Sequence, residues 1–172
     1  MPAFVRRLLD RLLRRQPALL EIDEAIWAGI MDELAARGDG VRESGAFLLG
    51  QIEPSQPRQA LSVVYYDDLD EECLTGGISF DGAAYGLLWD ICTDRDLRVV
   101  ADVHTHPGPG VAQSTTDRDH PMIARAEHLA LIVPDYAEHP VAPSEIGIHQ
   151  YHGDGQWTSW LGHDAEKRLR IN

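Results

Sequence analysis

The sequence predicts an α/β domain with a mixed β-sheet between helices. Three observations lead there. Segments with helical apolar periodicity alternate along the chain with short runs rich in strand-forming residues. One of those runs, "LRVVADVHTH", is apolar at nearly consecutive positions, as a strand buried on both faces requires. And 172 residues suffice for one domain with its own core.

The elements follow in order. Residues 1–16 read as an amphipathic basic helix: Phe4, Val5, Leu8, Leu9, Leu12 and Leu13 share one face, arginines cover the other, and Gln16 and Pro17 end it. Such a helix packs on its own domain or on a second subunit, where it would make a dimer, or it lies on a membrane surface or partner. Residues 17–172 form the main domain. After a short extended segment, Asp23 caps a helix whose buried stripe is Ile26, Trp27, Ile30, Met31 and Leu34, closed by Gly38. "ESGAFLLG" (Glu43 to Gly50) and "ALSVVYY" (Ala60 to Tyr66) read as paired strands, and "DDLDEE" as a solvated loop. "ISFDGAAYGLLWDIC" reads as a short strand and a helix with Ala84, Leu87, Leu88 and Ile91 inward. The central strand ends at Pro107. A helix from Asp117 to about Glu127 comes next, then strands in "HLALIVP", "EIGIHQYH" and "QWTSW".

Composition narrows the function. The net charge of −13 disfavours nucleic acid as a partner, because phosphate binding relies on Lys and Arg. Residues 1–15 hold five arginines and one acid, so the remainder is more acidic still, with ten bases against 27 acids. That surface suits a basic partner or peptide tail, or simply solubility. No apolar run approaches the roughly 20 residues of a membrane-spanning helix, and no secretion signal is evident, so the cytoplasm is the expected location. Cys73 and Cys92 match neither a CxxC pair nor a disulfide framework and read as ordinary thiols.

The chemistry gathers in "HTHPGPGVAQSTTD". Strand alternation sends His104 and His106 to one side and Thr105 to the other, which holds two imidazoles together. That pairing suits zinc, which in catalytic sites takes three protein ligands and a water. Asp117, returned by the Pro/Gly loop to the strand end, is the natural third ligand. Bound water would then ionise near neutral pH, its pKa lowered from 15.7 to about 7. Amide cleavage further needs a general base and an oxyanion donor; Glu43 and Ser114 are the candidates. Each element also has a plainer reading. Ser-x-x-Asp is an ordinary helix cap, HxH a surface pair, and Glu43 an exposed acid.

Taken together these residues resemble the JAMM metallopeptidases, or JAB/MPN domain. That pattern is a glutamate opening an apolar strand, then H-x-H-P, a loop and S-x-x-D, matched here by Glu43, by His104, His106 and Pro107, and by Ser114 and Asp117. The resemblance spans residues 22 to 160. It implies a layered, cytidine-deaminase-like fold with a curved mixed sheet, one zinc ion with a bound water on His104, His106 and Asp117, Glu43 as general acid/base and Ser114 as oxyanion stabiliser. Ala46 departs from the glycine usual in the family. Asp102 also departs, standing two residues before the first histidine, where relatives often carry a bulky residue; strand parity puts it on the ligand face. It either orients a histidine from behind the metal or is a solvated or capped acid at a sheet edge. Of the remaining histidines only His120 is near enough in sequence to approach the metal.

The resemblance implies an isopeptidase that cleaves after the C-terminal glycine of a ubiquitin-like protein. The compact chain is similar to prokaryotic enzymes that accompany activating and conjugating enzymes, some in anti-phage defence. A related peptidase acting on a sulfur-carrier protein in cysteine or cofactor synthesis would use the same residues, and a non-catalytic MPN scaffold would need none of them. A DNA-linked role of the RadC kind also belongs to the superfamily; the net charge of −13 disfavours it.

Overall fold

The structure, a computed structural model, describes residues 17–74 and 78–172; the predicted helix at 1–16 lies outside the described residues. The elements are β1 (Leu20–Ile22), α1 (Glu24–Gly38), β2 (Gly45–Gln51), β3 (Arg58–Ala60), β4 (Ser62–Tyr65), α2 (Tyr66–Leu69), α3 (Gly82–Asp94), β5 (Leu97–Thr105), α4 (Thr115–Asp119), β6 (Leu129–Val133), β7 (Gly147–Gly153), β8 (Gln156–Leu161), α5 (His163–Glu166) and β9 (Leu169–Ile171). Six strands form the main sheet in the order β4-β2-β5-β6-β7-β8. It is mixed, since β5 and β6 run parallel and the other pairs antiparallel. A second, parallel sheet has the order β3-β1-β9.

At its β4-β2-β5 end the main sheet is covered on both faces, and β2 shows how the sequence divides its side chains. Ala46 and Leu48 enter one apolar cluster with α1 and the small sheet, while Phe47 and Leu49 enter a second with α2 and α3. This is the period-2 alternation of a doubly buried strand. Helix α1 starts where Asp23 accepts hydrogen bonds from the N–H groups of Ala25 (2.8 Å) and Ile26 (3.4 Å), and ends as Asp39 turns left-handed at φ 50°. No helix among the described residues is long and apolar enough to cross a membrane.

Several sequence expectations are corrected. The predicted strand over Ala60 to Tyr66 is broken at Leu61: β3 leaves to pair with β1, β4 pairs with β2, and Tyr66 already starts a helical turn. The acidic run is not merely solvated, because Arg37 binds Asp67 at 2.6 Å and Asp68 at 2.8 Å, tying α1 to α2. Ile78 to Phe80 form no strand. Helix α3 buries Ala84, Leu88 and Cys92, leaving Leu87 exposed. The helix expected to reach Glu127 stops at Asp119, because Pro121 forces His120 out of helical conformation, at φ −130° and ψ 68°. The short strands β1 and β9 carry too few residues to show a periodicity.

Gly50 lets the two sheets meet. A Cβ there would fall on the carbonyl oxygen of Gln59, in β3. Gly50→Ala should therefore lower stability by about 1–3 kcal/mol through backbone displacement, read as an earlier urea midpoint at unchanged slope.

Candidate metal centre

The end of β5 carries the centre of the site. His104 lies in β5 and His106 just beyond it, but the His106 N–H still donates to the Val133 carbonyl in β6 at 2.9 Å. Extended backbone continues that far, so both imidazoles turn to one side, with ring centroids 5.2 Å apart. Thr105 turns the other way and is fully buried. Its Oγ1 accepts the Ser44 N–H at 3.0 Å, and its own N–H donates to the Ser44 carbonyl at 2.9 Å. With Gly45 opposite His104 in the register, this clasp fixes Glu43 beside the histidines.

The Pro/Gly loop is held through its carbonyls. Pro107 and Pro109 have no N–H to satisfy. The His106 carbonyl accepts from Tyr136 N–H at 2.9 Å and that of Gly108 from Asp135 N–H at 3.0 Å. The Gly110 carbonyl accepts from His106 Nδ1 at 3.0 Å and that of Val111 from His149 Nε2 at 3.0 Å. To present those two N–H groups, Asp135, Tyr136 and Ala137 adopt left-handed φ values of 49°, 53° and 60°, which cost about 1–2 kcal/mol per residue. Gly147 leaves room for the loop, since a Cβ there would fall on the Val111 carbonyl oxygen.

Ser114 and Asp117 form a capping box at the start of α4. The Asp117 N–H donates to Ser114 Oγ at 3.1 Å, and the Ser114 N–H donates to Asp117 Oδ2 at 2.7 Å. The cap and the ligand reading are therefore compatible, because the same geometry aims the carboxylate at the histidines. Asp117 Oδ1 lies 3.6 Å from His104 Nε2, and Oδ2 lies 3.3 Å from His106 Nε2. Among the described residues no acceptor takes the Ser114 hydroxyl hydrogen, which leaves it available to a ligand.

These residues fit a zinc ion. The Gly110 carbonyl can only accept, so His106 Nδ1 carries the hydrogen and Nε2 the lone pair. His104 Nδ1 faces Asp102 Oδ2 at 3.8 Å, while its Nε2 is buried without a hydrogen-bond partner. The potential ligand atoms of His104, His106 and Asp117 lie within 4.8 Å of one another. Tetrahedral zinc ligands at about 2.0–2.1 Å would stand about 3.3 Å apart, and two nitrogens with one carboxylate oxygen suit that ion. Glu43, His104, Ser114, Asp117, His120 and Met122 line one cavity of about 300 Å³. All the residues singled out in the sequence thus converge, and His120 joins them at the wall.

Asp102 is no edge acid: it is 1% exposed in the central strand. Its carboxylate accepts the Tyr66 hydroxyl at 3.3 Å, contacts His128 Nε2 through a short hydrogen bond and faces His104. Gly45 makes this possible, because a Cβ there would occupy the position of the Tyr66 ring. Sequence reading missed Tyr66 and His128. The available signal for His128 is an imidazole one residue before the wholly apolar "LALIV", on the parity of Ala130, which pairs with Asp102.

Burial opposes charge on His104, but the facing carboxylates of Asp102 and Asp117 outweigh it and push the imidazole up to about 9. Burial alone would raise Asp117; the two histidines and Ser114 instead hold it far below the usual carboxylate range. Asp102 is likewise held low, by His104 and His128 against its own burial. The site is built around positive charge between carboxylates.

No family model matches the chain. Its fold is similar to that of a structural genomics protein from Desulfitobacterium hafniense, at 17% identity and TM-score 0.57, covering 89% of this chain and 92% of that one. A Salinibacter ruber protein matches at 16% identity and TM-score 0.53, covering 84% and 97%. These likenesses concern the fold.

Two outcomes follow from the site. Asp102→Asn should weaken zinc binding about 10–100-fold in chelator competition, by withdrawing the carboxylate behind His104; unchanged affinity would leave Asp102 a purely structural acid. Without metal, protonated His104 contributes stability in full below its usual value near 6.5, and loses it as pH rises through about 9. Zinc must displace that proton. Thermal melts from about pH 6 to about pH 10 should show the melting temperature in chelator falling across this window, relative to His104→Gln, while the increment added by zinc grows. A zinc increment that stays flat would contradict this account.

Proposed function

We propose that the chain is a zinc-dependent peptidase of the JAMM (JAB/MPN) type. It cleaves after the C-terminal glycine of a ubiquitin-like protein, in a conjugate or a precursor, and works in the cytoplasm beside activating and conjugating enzymes. The observation that carries this reading is the convergence of His104, His106 and Asp117 within 4.8 Å, at a cavity also lined by Glu43 and Ser114. A scaffold would have no use for a buried His104 Nε2 that lacks a hydrogen-bond partner.

His104, His106 and Asp117 would hold the ion. When bound, zinc supplies a Lewis acid and a water acidic enough to ionise near neutral pH. Glu43 takes the proton of the attacking water and returns it to the departing amine. Ser114, its Oγ anchored by the Asp117 N–H, donates its free hydroxyl hydrogen to the carbonyl oxygen as negative charge develops there. The clasp between Ser44 and Thr105 anchors the residue after Glu43, so acid/base and oxyanion groups reach the same cavity from different elements.

The test pairs the zinc-loaded protein with the ubiquitin-like protein of its own gene neighbourhood carrying a short C-terminal extension. Intact mass should show loss of the extension after the terminal glycine with the wild type, and a rate lower by about 10²-fold or more with Glu43→Ala. An intact substrate, with zinc bound and both proteins folded, would refute the reading.

A further inference from the structure

A second cavity, of about 400 Å³, adjoins the first and is lined by Gln113, Arg118, Gln156, Trp157, Ser159 and Leu161. Gln113 and Trp157 line both cavities, so they separate the two and connect them. Arg118 directly follows the metal-site residue Asp117. Its carbonyl accepts the Trp157 indole N–H at 3.2 Å, which fixes the aromatic wall against the helical turn that carries the guanidinium.

The charge of Arg118 is unspent. Among the described residues every other basic side chain is hydrogen-bonded or ion-paired: Arg37, Arg95, Lys167 and Arg170 to side chains, Arg42, Arg58, Arg98, Arg125 and Arg168 to carbonyls. Arg118 alone has neither, in a chain with 28 acids. The other residues that line this cavity carry no carboxylate. Ser159 cannot answer it as a donor to an anion, since its hydroxyl hydrogen goes to His149 Nδ1 at 2.8 Å, His149 Nε2 being committed to the Val111 carbonyl. Gln113 Nε2, between the two cavities, makes no hydrogen bond. A guanidinium and an amide with unused donors, beside a tryptophan face, form a receptor for a carboxylate.

We infer that this second cavity is a substrate subsite that binds a carboxylate through Arg118, next to the bond that is cut. The inference rests on the peptidase reading and narrows its substrate class to one with a carboxylate near the scissile amide. That carboxylate is either the free end of a short leaving peptide, as in precursor trimming, or the side chain of an adjacent Asp or Glu.

The test uses the full-length, zinc-loaded Glu43→Gln protein and titration calorimetry. Acetyl-Gly-Gly-Ala with a free C-terminal carboxylate, its C-terminal amide, and acetyl-Gly-Gly-Glu-amide are the probes. At least one carboxylate peptide should bind about tenfold or more tighter than the neutral amide, and Arg118→Met should abolish the difference. Preference for the free acid identifies a chain end, and preference for the Glu peptide a side chain. Equal affinities, absence of binding, or a preference that survives Arg118→Met, as for a carboxylate held by zinc alone, would each overturn the subsite. Turnover by the wild type judges the other reading separately. Cleavage without carboxylate preference keeps the peptidase and removes the subsite; carboxylate-selective binding without cleavage keeps Arg118 as a carboxylate receptor but removes the peptidase, and with it the receptor's role as a substrate subsite.

Discussion

A carboxylate buried in the middle of a sheet is the constraint around which this molecule is arranged. Asp102 sits on the central strand β5, closed off from water on both sides. An ionised carboxylate in such a place costs several kcal/mol unless donors surround it. The fold provides them from two elements, Tyr66 from the turn after β4 and His128 from the entry to β6, and sets the His104 imidazole of β5 itself against the carboxylate at 3.8 Å. Satisfying Asp102 therefore sets how β4, β5 and β6 stand relative to one another. It also leaves His104 with Nδ1 inward and Nε2 outward, the orientation a metal requires.

The same constraint explains what could be read from the sequence. Strand parity is a local property, so it carried the facing of His104, His106 and Asp102 without knowledge of the neighbours, and the turn chemistry of "HPGPG" carried the return of Asp117. Asp102 itself stayed ambiguous, because parity gives the face of a strand and not the depth of that face. Its partners Tyr66 and His128 lie 36 and 26 residues away in the chain, and no periodicity joins them. The helix expected beyond Asp119 failed for a local reason, the proline at 121, which outweighed a favourable apolar pattern. The unbroken strand expected over Leu61 failed for a non-local one: β3 pairs with β1, and nothing in the short extended segment before Asp23 names its partner.

Electrostatically the protein opposes its own surface at this point. The described body is acidic, yet at the metal cavity the carboxylates are turned inward on histidines, and Arg118 stands beside them without a counter-charge. Negative charge is thereby gathered on the histidines of the candidate metal centre, and a positive charge stands beside it. A uniform acidic field would repel an anionic group before it reached the bond; one uncompensated guanidinium next to the cavity reverses the local sign over the few ångströms that matter.

The loop from Pro107 to Val111 has a further consequence, in conformational entropy. Its prolines restrict the unfolded chain, and four carbonyl acceptors, at His106, Gly108, Gly110 and Val111, are each engaged from a side chain or a distant turn. The carbonyls of the ligand-bearing segment are thus satisfied by the protein itself. Where small zinc domains use the metal to fold, hydrogen bonds hold this loop, so an ion bound there would act as an exchangeable reagent instead of a structural rivet.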